Sequence, residues 1–269
     1  MYKELINSAT KTQPFLIEHL NVKYIPHFHG ELELVYVLDG QLQLTLGSAV
    51  YTVKQGDICV ILPNCIHNLF THTYSKTFVT KIDTPGDFDH IRLAESILSP
   101  GCPVYEELKT SLLSMMEENN RKEPGYALSV NMHASNILLL ILRKLDHYKL
   151  DSHVKTLMIH ESDFLKQVDA FLEQHLAEGI SLEGIAAAFN YTKSYFCRYF
   201  KKITGTTFWQ YYTLYRLELA VEYIKTGTKK NMTQIALQAN FKNVRAFNKA
   251  FQSYYHCTPS EYKKMMRQK

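Results

Sequence analysis

Apolar and polar positions along this chain change period part-way, from strand-like to helical. From Phe15 to Lys81 the apolar residues come in short runs rich in β-branched and aromatic side chains. LELVYVL (32–38) is followed by Asp39-Gly40, a two-residue hairpin signal, and QLQLTL (41–46) then alternates strictly. YTV, a turn at Gly56-Asp57 and ICVIL (58–62) continue the pattern, which predicts a small β-barrel or sandwich. After Pro85 the spacing turns helical. Leu108, Leu112, Met115 and Met116 share one face of a helix expected over 104–119. Beyond a break at Pro124-Gly125, a longer helix is expected over 128–148. Its ILLLIL run is apolar all round, which predicts burial in a core or against another subunit.

Residues 149–160 are polar and read as a linker, and everything from Ser162 onward reads as helix. Expected helices cover 164–176, a short segment after an N-cap at Ser181, 194–204 ended by Gly205, 208–225, 233–239 and 245–255. A last short helix starts at Pro259, and 229–231 reads as a loop. The fold class is therefore α+β multidomain. The expected partition is a barrel over 1–85, a helical cover or dimerisation region over 86–150, a linker over 151–162 and an all-α domain over 163–269.

The helical domain states one idea twice. SLEGIAAAFNYTKSYFCRYFKKITGTTF (181–208) is matched by TQIALQANFKNVRAFNKAFQSYYHCTP (233–259). Ile185-Ala186 corresponds to Ile235-Ala236, and Phe196 and Phe200 to Phe247 and Phe251, with one extra residue in the second copy. A short helix, a tight turn and a second helix with a polar outer face form a helix-turn-helix pattern. Phe196, Tyr199 and Phe200 fall inward; Ser194, Cys197, Arg198, Lys201 and Lys202 face a groove. In the second copy Arg245, Asn248, Lys249 and Gln252 face outward. Arg and Asn can make paired hydrogen bonds to guanine and adenine edges, and Lys suits phosphate as a point charge. The alternative for either copy alone is a plain helical bundle with solvated charges. The 18-residue helix between the copies would be about 27 Å long, close to the roughly 34 Å turn of DNA.

Charge sharpens the picture. Residues 164–269 carry 16 Lys+Arg against 7 Asp+Glu, net +9; residues 1–163 carry 14 against 19, net −5. A basic domain on an acidic remainder points to a polyanion partner for that domain alone. The five cysteines form no CxxC pair, which argues against a zinc finger or disulfide framework and for a reducing compartment. The polar start MYKELINSATKTQ lacks the apolar core of a secretion signal, and no apolar run approaches a membrane span. A cytoplasmic protein without a membrane partner is expected.

At these residues the last hundred positions resemble the AraC/XylS family of bacterial transcription regulators. I-A-x-x-x-N-F, F-x-x-x-F and T-P-x-x-Y of the second copy stand at the family spacing. Carried over by position, the family's contacts fall on Ser194, Cys197, Arg198, Arg245, Asn248 and Lys249. The chain departs from the pattern where Asn240 and His256 stand for glycines, Gln252 for a lysine and Phe208 for a proline; Asn240 can still adopt a left-handed backbone. Further upstream, His27, His29, Glu33 and Gly40 resemble the first motif of a cupin barrel, and Gly56, Pro63 and His67 its second.

Alternation puts His27 and His29 on one strand face, with Glu33 and His67 able to join them. With Tyr36 these residues are the expected effector site. As a three-His, one-carboxylate set, His27, His29, Glu33 and His67 are also the alternative metal site of a cupin enzyme with a DNA-binding tail. The family resemblance favours the other reading: no enzyme and no cofactor, but a sensor of a small molecule such as a sugar, acting on double-stranded promoter DNA. It also favours a homodimer, with Leu108, Leu112 and Met115 as seam residues, and admits RNA polymerase as a further partner.

Overall fold

The computed structural model describes residues 14–176, 178–226 and 230–267, so the polar start at 1–13 and the beginning of the 229–231 loop lie outside it. The chain forms two compact units that part between Asp163 and Phe164. The first contains strands β1 (Phe15–Leu20), β2 (Leu32–Leu46), β3 (Ala49–Lys54), β4 (Ile58–Ile61), β5 (His67–Phe70), β6 (Ser75–Ile82), β7 (Ile91–Leu93) and β8 (Ile97–Leu98). Helices α1 (Tyr105–Arg121) and α2 (Tyr126–Lys144) and strand β9 (His147–Lys149) follow. All pairings are antiparallel, in the order β1-β6-β2-β4-β8, with β3 and β5 on the far half of β2 and β7-β9 a separate ribbon. The sheet thus continues past residue 85, because β8 closes on β4.

Strand β2 organises this unit. Asp39-Gly40 is not a hairpin turn: β2 runs through it with a bulge between Val37 and Asp39, and Leu46 pairs Ala49 across Gly47-Ser48. The positive φ of 75° that Gly40 supplies serves a bulge as well as a turn. A Cβ there would lie 2.3 Å from the Tyr74 carbonyl oxygen, so the strand can bend from one sheet into the other only at glycine.

Alternation explains why LELVYVL is almost wholly apolar. Val35 and Val37 point into the barrel with Leu44, Ile61, Leu69 and Val79. Leu32, Leu34 and Tyr36 point the other way, to a layer shared with α1 and α2. Leu108, Leu112 and Met115 are fully buried in that layer, so they are covering residues of one chain and not seam residues between two. Helical spacing alone does not distinguish the two. On α2, Leu128, Met132 and Leu139 are exposed instead.

The second unit is helical. The unit boundary falls within helix α3 (Ser152–His175), which runs through the expected linker and whose residues to Asp163 belong to the first unit; at its start Asp151 Oδ1 accepts from the Val154 N–H. Then come α4 (Leu182–Ala188), α5 (Lys193–Thr204), α6 (Phe208–Lys225), α7 (Met232–Gln238), α8 (Val244–Tyr255) and α9 (Pro259–Arg267).

The duplication holds to the hydrogen bond. Asn190 and Asn240 are both left-handed (φ 56° and 57°), and the next residue donates to the Ala186 and Ala236 carbonyls respectively. Thr192 accepts from Tyr195 N–H as Asn243 does from Ala246 N–H, one residue later in the second copy. The domain's centre is α6, capped by Thr207 and Gln210. Its Phe208 and Tyr211 pack on Phe196 and Phe200 of α5.

His256 ends α8 with φ 57°, a left-handed cap that favours glycine. His256→Gly should therefore stabilise the helical unit by about 0.5–1 kcal/mol. The single tryptophan, Trp209, lies on α6 in that unit, so its fluorescence in a urea titration can follow the unit. An unchanged or lower midpoint would contradict a strained cap.

Candidate nucleic-acid interface and effector site

The second helices of the two helix-turn-helix copies are α5 and α8. Phe196 and Phe200 are buried beneath α5, and Phe247 and Phe251 beneath α8. These anchors fix which side of each helix meets solvent. Ser194, Arg198, Lys201 and Lys202 are exposed on α5, with Cys197 half-buried at the edge of that face. Arg245, Asn248, Lys249 and Gln252 are exposed on α8. Aligned through their caps, Ser194, Cys197 and Arg198 take the places of Arg245, Asn248 and Lys249, so the two heads present different chemistry.

Sequence reading missed Tyr195. It is 45% exposed at the start of α5, stacked on Tyr199 (5.9 Å between centroids, 11° between planes) and edge-on to Tyr191 (4.7 Å). A ring held from two sides is a rigid contact surface, and Ala246 stands in its place on α8. The only signal in the sequence is the i, i+4 spacing of Tyr191, Tyr195 and Tyr199, which also fits a core stripe.

In the barrel, His27, His29, Glu33 and His67 are brought together, all buried, with one ligand atom from each within 4.8 Å of the others. The His27–His67 pair arises from reciprocal backbone hydrogen bonds of 2.9 and 2.8 Å, which hold the rings 4.3 Å apart. Tyr36 does not join them: it is three residues from Glu33 on the same strand and so faces the helical layer. Parity along β2 would have excluded it.

The ring nitrogens are committed in a particular way. Nδ1 of His27, His29 and His67 lies 2.9, 3.1 and 2.8 Å from the carbonyl oxygens of Ile25, Glu31 and Cys65, so each donates there. In their neutral forms, His29 and His67 therefore turn lone-pair-bearing Nε2 atoms toward Glu33 Oε2, at 2.6 and 3.3 Å. Those contacts need a second proton on a ring, a proton on the carboxyl, or a cation nearby. Burial pushes His27 and His29 below the ordinary imidazole range, which disfavours the second proton. Burial would raise the Glu33 carboxyl, but its contacts with His29 and His67 outweigh this and hold it well below the usual carboxylate range.

Lys81, buried on the paired strand, puts Nζ 4.0 Å from Glu33 Oε2. Glu33 Oε1 has no hydrogen-bond partner among the described residues. Imidazole and carboxylate donors with fixed outer-shell hydrogen bonds suit a first-row transition metal. Ligand atoms around such an ion at bonds of about 2.1 Å stand roughly 3.4 Å apart, which small shifts in the cluster would reach.

Comparisons with known proteins agree with this division. A profile of a helix-turn-helix domain matches residues 185–265, and one of an AraC-like ligand binding domain matches residues 18–138. The HTH-type transcriptional regulator YdeC of Bacillus subtilis (strain 168) is 26% identical over 262 residues, covering 90% of this chain and 87% of its own. The transposon Tn10 TetD protein of Escherichia coli is 35% identical over 100 residues, 37% of this chain and 72% of its own. Unsaturated fatty acid-bound ToxT of Vibrio cholerae strain SCE256 shares the fold, with a TM-score of 0.51 at 14% identity over 94% of this chain and 95% of its own. Among the described residues no helix is long and apolar enough to cross a membrane.

Glu33→Ala removes the carboxylate between Lys81 and the imidazoles and should cost the barrel about 3 kcal/mol. Urea unfolding followed by far-UV circular dichroism should show an earlier barrel transition, with the Trp209 transition of the other unit unmoved. Unchanged barrel stability would mean that Glu33 is not the counter-charge of the cluster.

Proposed function

Because the chain belongs to the AraC family of HTH-type transcriptional regulators, we propose that α5 and α8 read promoter DNA under the control of a ligand in the barrel. The observation that carries the reading is the pair of exposed, unlike polar faces on α5 and α8, each backed by two buried phenylalanines. Arg198, Arg245 and Asn248 take base edges; Lys201, Lys202 and Lys249 take phosphates; Ser194 and Cys197 make shorter contacts. Since the heads differ, the site read by one chain is asymmetric, two unlike half-sites in direct order.

The barrel binds a small polar effector, a sugar among the candidates, at His27, His29, Glu33 and His67. Binding shifts regulation only by favouring one arrangement of the chain over another. The exposed Leu128, Met132 and Leu139 on α2 support a homodimer through that face in place of α1. RNA polymerase is the further partner of such a promoter-bound dimer.

A second reading of the barrel is favoured by the committed Nδ1 atoms and by the Glu33 oxygen that has no hydrogen-bond partner among the described residues. Here the four residues hold a divalent transition-metal ion, as the effector itself or as its anchor. When bound, the ion would supply the positive charge that the Nε2–carboxylate contacts require.

Arg245→Ala should cost about 1–3 kcal/mol of DNA affinity and relax preference at one base position. Selection from randomised duplexes by the wild-type and variant chains checks this; identical affinity and preference would remove α8 as a reading head. Elemental analysis of the chain purified without added metal, followed by calorimetric titration with Zn²⁺, tests the second reading. About one ion per chain, lost in His29→Ala, supports it. No binding by the wild-type chain leaves the small-molecule reading.

A further inference from the structure

Arg216 is a cation of the helical unit that does not lie on either outward face. Arg216 stands in the middle of α6, half-buried, with its guanidinium 4.4 Å from the ring centroid of Tyr212 and 4.2 Å from that of Phe241. Its Nη1 donates to the carbonyl oxygen of Asn240 at 2.9 Å, and Nη2 reaches Thr213 Oγ1 at 3.4 Å. Nε is buried without a hydrogen-bond partner among the described residues, so the rings carry much of the placement.

Asn240 is the left-handed residue of the turn between α7 and α8, and its side-chain amide donates to the Leu176 carbonyl oxygen just past the end of α3. The turn of the second head is thus gripped from two sides. One grip comes from the helix that leads into the first head; the other comes from the helix that joins the heads. Ala220, Val221 and Ile224, buried further along α6, offer apolar contact that is not directional. A planar fork on a carbonyl between two rings admits one orientation, which a lysine ammonium would not impose.

We infer that Arg216 is a positioning residue that sets the separation of the two half-sites the chain can read. The inference rests on the two-head reading proposed above. Two heads joined rigidly gain from each other's binding only at one spacing; a loose joint accepts several spacings at lower gain. Arg216 touches no DNA in this scheme and changes no base preference within a half-site.

The test uses the full chain and a library of randomised 40-base-pair duplexes. The site enriched by the wild-type chain is rebuilt with one or two base pairs added to or removed from between its half-sites. Binding of the wild-type chain should fall on the order of tenfold at one added base pair. Arg216→Lys should bind the original site on the order of tenfold more weakly and respond to spacing less than about threefold, while selecting the same bases. Phe241→Leu, which keeps the hydrogen bond and removes one ring, should fall between them. Arg245→Ala should keep the wild-type spacing profile and lose base preference instead.

A spacing profile in Arg216→Lys that parallels the wild type, at whatever overall affinity, overturns the positioning role and leaves only a structural one. If the wild-type chain enriches no sequence, the two-head reading falls, and the role of Arg216 with it. If it enriches a site but tolerates every spacing, only the role of Arg216 falls.

Discussion

Neither helix-turn-helix copy contains enough apolar surface to stand alone, and the helical unit depends on how that shortage is met. Two helices of seven and twelve residues cannot enclose a core, so each copy must lean on something else. Both lean on α6. Its aromatic first turn, Phe208 with Tyr211, fills the space under α5, while Arg216, lying over the Tyr212 ring, also meets Phe241 of the second copy. A helix buried on several sides is costly to reorient, so sharing it converts a deficit of core into a fixed geometry between heads. The left-handed asparagines at both turns and the paired caps at Thr192 and Asn243 keep each copy the same shape while their outer faces diverge.

The sensor unit applies a related economy to one strand. Because β2 is covered on both faces, before its bulge the odd positions line the barrel interior and the even positions build the helical layer, and after the bulge Leu42 and Leu44 face the interior instead. Glu33 is the polar member of the inward set. A buried carboxylate must be matched by donors or cations, and the structure supplies the Lys81 ammonium and sets Nε2 of His29 and His67 against the same oxygen. The three histidines are themselves steered by backbone carbonyls two residues away, so the site is held by local chain geometry as much as by packing.

Much of this could be read from the residues in order. The strands to Ile82, the Phe208–Lys225 helix and the duplicated heads follow from local period or spacing, whereas the His-His-Glu-His grouping came with the cupin resemblance, since His27 and His29 lie between β1 and β2 and not on a strand. What escaped depended on the partner of a face. Leu108 and its neighbours are spaced for any helix contact, and only the fold shows that the contact lies within the chain. Asp39-Gly40 announces a positive φ without saying whether a turn or a bulge uses it. The polar composition of 151–162 hid a helix because most of its residues stay exposed. Tyr36 was an error of parity along a strand. Arg216 was not legible at all, since its partners at Asn240 and Phe241 lie more than twenty residues away.

The long pairing of β1 with β6 also bears on how the protein is made. Phe15 pairs with Lys81, and β4 receives its last neighbour at Ile97–Leu98, so the barrel cannot close until the chain through Leu98 has left the ribosome. The helical unit, by contrast, is built mostly from neighbours in sequence, the kind of architecture that folds quickly. It is also synthesised after the barrel unit. A nascent chain therefore carries a sensor that has had time to assemble before any surface able to grip DNA exists, and the two capacities mature in the order in which control requires them.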